Sequence, residues 1–277
     1  MNNREIVNKF RNEATSGKSG NIFIEGNNLY SYGKHFILAV RMQDVYLLNG
    51  DSYSKSTSKH QSIVRSVLKP NFIIPFSALR QVTTEYEKLV ILDKTEDTIK
   101  EVKYIDSKTG EEKTRENHLL GAILFKVFKY DSVSRKERDF YYLGSCDETA
   151  KTIRQGYFII ELPNKAKSVT QAYESLKPKG LGAEYEYQRQ GEFFLIPSEV
   201  KTKDLRPNTE KNLAVLFGND SDSGNPHIAK ETRQKGKDIY IRGTLKHREH
   251  KTINFKSWHI VKINQAVHSY SASGRVD

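Results

Sequence analysis

Residues 30–69 read YSYGKHFILAVRMQDVYLLNGDSYSKSTSKHQSIVRSVLK, and the hydrophobic period changes inside them. Leu29 to Val40 and Val45 to Leu48 are rich in aromatic and β-branched residues and read as two strands. Met42-Gln43-Asp44 is a short turn between them, and Asn49-Gly50 ends the second strand. Beyond Ser54 the apolar residues Ile63, Val64, Val67 and Leu68 fall on one face of a helix. Ser58 followed by Gln61 fits a capping box for its start, and Pro70 stops it after Lys69. A helix start exposes unpaired N–H groups and partial positive charge, which suits an anion. Ser56, Thr57, Ser58, Lys59 and His60 surround that start, with Arg65 further along, and form the first candidate phosphate site.

Outward from this stretch the strand signal dominates. Leu119 to Tyr130 has apolar residues on both faces, as a central strand would, and Ser134 to Arg138 is the tip of a hairpin returning through Phe140 to Leu143. Phe72 to Phe76 is a short strand whose Pro75 points to an edge. Leu89 to Leu92, Val102 to Ile105 and Tyr157 to Leu162 are further strands. Ala183 to Tyr187 and Glu192 to Ile196 read as a hairpin about Arg189-Gln-Gly191. Helices are expected over Arg4 to Ala14, from Ser168 to before Pro178, and as a turn over Ala150 to Gln155, with a flexible link at Thr15 to Gly20. The fold class is therefore α+β, mostly antiparallel strands with a few short helices. The expected organisation is a strand–strand–helix unit with a leading helix at 1–70, a β-rich body at 71–197, and a basic, histidine-rich β region at 198–277, the last two also readable as one domain.

Charge is unevenly placed. Met1 to Lys69 holds ten basic and five acidic residues, and Ser198 to Asp277 fifteen and nine, leaving the middle near neutral. Basic ends on a neutral centre favour a polyanionic partner, nucleic acid first. Cys146 is the single cysteine, so an intrachain disulfide and cysteine-based zinc sites are excluded. With no secretory signal and no apolar run of membrane-spanning length, a cytoplasmic location and no membrane partner are expected.

Four of the eight histidines are His227, His247, His250 and His259. Imidazole is the commonest zinc ligand and the usual proton shuttle near neutral pH. His247, His250 and His259 are the metal candidates, zinc being the ion they would take, although no cofactor is required by the pattern. Parity weighs on this. Placing Ile241 and Leu245 on one face with Ile253 and Phe255 requires an odd loop, such as Arg248 to His250. That register leaves His250 in the turn rather than paired with His247. The second candidate phosphate site is the loop itself: Lys246, His247, Arg248 and Lys251. Tyr30, Tyr32 and Trp258 are candidate base-stacking groups.

Several familiar motifs fail. Gly17-Lys18-Ser19 ends like a phosphate-binding loop, but Asn12 stands where its first glycine belongs. Asn219 to Gly224 has acidic spacing without the closing glutamate of a calcium loop. No paired carboxylates, nucleophile elbow or dinucleotide loop is present.

Tyr30-Ser-Tyr-Gly-Lys-His35, Tyr53-Ser54 and Ser56-Thr-Ser-Lys-His-Gln61 resemble a segment of phage- and plasmid-borne proteins of no assigned activity. Gln190 to Pro197 and His247 to His259 share that resemblance. It carries over no catalytic residue and implies a mobile-element setting, hence a host-cell cytoplasm. Three functions follow as expectations. The first is a non-catalytic nucleic-acid-binding protein. The second is a histidine- or metal-dependent nuclease or phosphoesterase. The third is an inhibitor of a host defence or host protein that acts through a protein–protein surface.

Overall fold

A computed structural model describes residues 2–276 apart from 44, 52, 70, 75, 77–78, 81–87, 108, 120, 132, 148, 151–156, 183–184, 219–225, 267 and 272–273. The expected α+β class holds: strands dominate and, with one exception among the described residues, pair antiparallel. Among the described residues no helix is long and apolar enough to cross a membrane.

The first sheet is a meander of β1 (Ser16–Ser19), β2 (Ile22–Glu25), β3 (Asn28–Ser31), β4 (Gly33–Met42) and β5 (Val45–Asn49). Strand β6 (Asn71–Ile74) adds to its edge, parallel to β5 after a crossover through helix α2 (Lys55–Val67). Side chains along β5 alternate. Val45 and Leu47 face the second sheet, while Tyr46 and Leu48 face α2 and the leading helix α1 (Asn3–Arg11).

Three local expectations are corrected here. The run from Leu29 to Val40 is two strands, because Tyr32 takes a left-handed backbone (φ 64°) that reverses the chain. Thr15 to Gly20 is not a loose link. Its residues 16–19 pair with β2, and Gly17 leaves room for α1, since a Cβ there would meet Ile6 Cδ1 at 2.9 Å. Helix α2 begins earlier than the Ser58–Gln61 box implies. Ser54 is its cap, and Gln61 instead donates to the carbonyls of Asn49 and Asp51, tying helix to strand end.

Strand β7 (Lys88–Lys94) leads into a separate two-stranded ribbon, β8 (Thr98–Ile105) with β9 (Glu112–Leu119). The second sheet then follows through β10 (Ile123–Asp131), β11 (Lys136–Cys146) and β12 (Tyr157–Glu161). Strand β10 is internal, as its two apolar faces require. Ile123, Phe125 and Val127 pack on the first sheet, and Leu124 packs under helix α3 (Val169–Leu176). The result is a four-layer stack: α1 with α2, first sheet, second sheet, α3. Ser168 caps α3, accepting the Gln171 N–H as the sequence predicts.

The third sheet has the order β13 (Gln188–Gln190), β14 (Phe193–Pro197), β18 (Ile253–Ile263), β17 (Asp238–Lys246), β16 (Ile228–Lys235), β15 (Arg206–Asn208). Its first hairpin is tighter than Ala183 to Tyr187 implies, since the strand starts at Gln188. The polar stretch 198–211 contributes β15, which pairs with the edge of β16. A single helical turn, α4 (Leu213–Leu216), packs Leu213 into this sheet's core. Strands β19 (His268–Ser271) and β20 (Gly274–Val276) then return to the second sheet beside β12. The expected turn over Ala150 to Gln155 and the Asn219 to Gly224 loop fall largely outside the described residues.

The third sheet meets the stack on the α3 side. Gln265 N–H donates to Leu176 O, and Arg189 lies 5.5 Å from the Phe158 ring, on the face of the second sheet that α3 covers. Helix α2 lies on the opposite outer layer.

Candidate metal centre

Strands β17 and β18 pair with Leu245 opposite Ile253, the odd-loop register that parity requires. The loop is nevertheless no free tip. His250 bridges to Ala150, and Lys251 N–H donates to Thr149 O at 2.7 Å, so the loop is laid against the end of β11. His247 and His250 then meet, with ring centroids 4.6 Å apart. The objection that the register separates them assumed a solvent-directed turn.

The third ring is that of His227, from the residue that leads into β16. It stacks on His247 at 4.1 Å and lies 5.3 Å from His250. One nitrogen from each of the three rings lies within 4.8 Å of the others. A tetrahedral zinc site with Zn–N of ~2.0–2.1 Å sets its nitrogens roughly 3.4 Å apart, so the rings must draw together and the His227–His247 stack must open, because each lone pair lies in its own ring plane.

Each ring is braced from behind. His250 Nδ1 lies 3.2 Å from Thr149 Oγ1 and 3.5 Å from Asp147 Oδ2. Asp147 is itself fixed, accepting the Thr149 N–H and hydroxyl on one oxygen and the Gly191 N–H on the other. His227 Nδ1 lies 3.8 Å from Glu192 Oε1, and its ring is edge-on to Phe193. Carboxylates behind the rings are the usual second layer of a histidine metal site, fixing tautomer and orientation. His247 differs: its Nδ1 accepts the Glu249 N–H at 3.2 Å, which places its ring proton on Nε2. To ligate through Nε2 it must give up that proton, or turn its ring over.

The Nε2 atoms of His227 and His250 face one spot. His227 Nε2 is buried and has no hydrogen-bond partner among the described residues. A Cβ built on Gly191 would stand 3.3 Å from both His227 Nε2 and His250 Nε2. Gly191 has φ 58°, so glycine answers both the backbone and the space. Burial and the neighbouring rings hold the His227 pKa well below its ordinary value. Burial, opposed by Asp147, lowers that of His250 to about 4. Both rings are neutral at pH 7, the state in which imidazole binds a cation.

The other candidates are placed as follows. His259 is buried over Phe255 and stands outside the cluster. Trp258 is buried too, its indole N–H donating to Thr202 Oγ1 and its ring faced by Arg233 and Arg242. Tyr30 is in the core, stacked on Phe23, while Tyr32 is exposed. At the start of α2 the Ser54 hydroxyl lies within hydrogen-bond distance of Ser56 Oγ, Thr57 Oγ1 and the Thr57 N–H. Thr57 and His60 face inward, and His60 Nδ1 lies 2.8 Å from Ser31 Oγ. Ser56, Ser58 and Lys59 are exposed, and Arg65 is half-buried. Lys246, Arg248 and Lys251 are exposed on the loop that carries His247 and His250. The first basic stretch thus lies on α2, outside the first sheet, and the second on the loop laid against residues 149–150 after β11.

No family model matches the chain, and neither does a curated protein or a solved structure. The site therefore has to be read from its own chemistry.

His227, Asp147, Glu192 and Gly191 are the residues that sequence reasoning passed over. His227 lies far from His247 along the chain, so no ligand spacing marks it. The one available signal was its membership of the histidine-rich C-terminal third.

Proposed function

We propose that the chain binds a divalent transition metal, zinc first, through His227, His247 and His250, and that this centre acts on a phosphoester. The observation that carries the reading is the gathering of three imidazoles within 4.8 Å of one another, two of them kept neutral and facing the space beside Gly191. Nitrogen ligands suit zinc among the common divalent ions. Three protein ligands leave a position for water or substrate, and a bound zinc ion lowers the pKa of such a water to ~7. The choice of an anionic substrate rests on Lys246, Arg248 and Lys251, which rim the loop with positive charge.

Metal analysis of the purified chain and hydrolysis of bis(p-nitrophenyl) phosphate, with and without chelator, test this together. The expected result is one ion per chain and chelator-sensitive hydrolysis, both lost in His227→Ala and His250→Ala. A chain that takes up no ion overturns the reading.

The exposed loop cations also favour a second reading, in which the same surface holds nucleic acid without cleaving it. Binding would then weaken steeply with salt whether or not metal is present.

A further inference from the structure

The side chain of Gln190 is fully buried in the third sheet, and only half of its amide is used. Its Nε2 donates to Lys251 O at 2.7 Å. Its Oε1 is buried and has no hydrogen-bond partner among the described residues. Turning the amide over would set its oxygen against the Lys251 carbonyl oxygen, so the orientation is fixed by chemistry. Leaving a buried carbonyl unsatisfied costs ~1–3 kcal/mol, so a partner is expected there.

Register says which face of the sheet the side chain is on. Gln190 pairs with Phe193 across the β13–β14 turn, so the two side chains share one face of the sheet. Phe193 is edge-on to His227 at 5.0 Å. The next residue, Gly191, lays its backbone on His227 and His250, and Lys251, which holds the amide, follows His250. His227 Nε2 and Gln190 Oε1, both buried and without a hydrogen-bond partner among the described residues, thus belong to the same corner of the third sheet.

We infer that the carboxamide oxygen of Gln190 is a fourth donor to the cation held by His227, His247 and His250. This deepens the metal reading above and rests on it. Three imidazoles and a carboxamide are all neutral, so the ion keeps its double positive charge, with the carboxylates of Asp147 and Glu192 behind the rings. A three-nitrogen, one-oxygen set suits Zn²⁺ or Co²⁺ and disfavours Cu⁺, which prefers sulfur. Gln190 would then hold the fourth position that three histidines alone leave open, and the water or substrate would enter as a fifth ligand, an expansion zinc accepts.

Co²⁺ titration followed by visible absorption tests the inference on the full chain. Gln190→Ala should weaken Co²⁺ binding on the order of tenfold and change the intensity of the absorption bands, which follows coordination number. Gln190→Glu, of the same size with an anionic oxygen, should bind more tightly than the parent and also covers the case in which the alanine variant fails to fold. An affinity and spectrum unchanged in Gln190→Ala overturn the inference, as does a folded Gln190→Glu that binds no more tightly. If Gln190→Ala is silent while His227→Ala abolishes binding, the three-histidine centre stands and Gln190 is excluded from it. If the parent chain binds no Co²⁺, the metal reading itself falls.

Discussion

Gly191 carries no side chain at the point where a Cβ would press on the His227 ring, 3.2 Å from Cε1. A methyl group there has two costs. The left-handed backbone alone is unfavourable to alanine by ~1–2 kcal/mol. The ring contact adds to this and closes the space between the nitrogens. Gly191→Ala should therefore lower the melting temperature and weaken metal binding together. Gly180→Ala, also at positive φ but with open space around its Cβ, should lower stability alone. Calorimetry with and without Zn²⁺ separates the two.

Asp147 joins His250, Thr149 and Gly191 through its two oxygens. Asp147→Asn keeps the shape and removes the charge. Zn²⁺ affinity should fall ~10–100-fold, as for second-layer carboxylates elsewhere. Competition with a chromogenic chelator reads this directly.

The pH dependence has a defined sign. His227 and His250 are lowered from 6.5, His250 to about 4. Below pH 6.5 the unfolded chain takes protons that the folded chain refuses, so stability is full above 6.5 and falls as pH drops. Each such ring contributes a slope of ~1.4 kcal/mol per pH unit, and that of His250 ends near pH 4. Protonation of His227 and His250 should therefore compete little with metal from pH 7.5 to 5. An exposed histidine site would lose affinity from about 6.5 downward. Affinity that falls steeply at pH 6.5 would count against neutral, buried ligands.

The two basic stretches should behave differently. Replacing Lys246, Arg248 and Lys251 with glutamine should weaken binding of a short oligonucleotide and flatten its dependence on salt. Lys59→Gln should change neither. Ser54→Ala should cost ~1 kcal/mol through loss of the α2 cap, with no effect on that binding. Fluorescence anisotropy across a salt series is sufficient.

Much of this fold was legible where the pattern is local. Alternation identified β10 as an internal strand, the odd β17–β18 register followed from parity, and apolar spacing located α1 and α3. The break at Tyr32 was not legible, because a tyrosine in a left-handed turn contradicts its own preference for strands. The site was half legible. His247 and His250 announce themselves by proximity, but His227 and Asp147 reach them only through pairing of distant segments. Arg189-Gln-Gly191 was readable as a turn. That its glycine faces two imidazoles depends on how the third sheet leans on β11.

Strand β12 finds its outer neighbour in β19, after the whole third sheet has intervened in the chain. During synthesis the ribosome must therefore deliver all of that sheet before this edge can be sealed. A nascent chain stalled short of His268 would present a naked, apolar strand to its surroundings, and chaperone demand should peak in that interval.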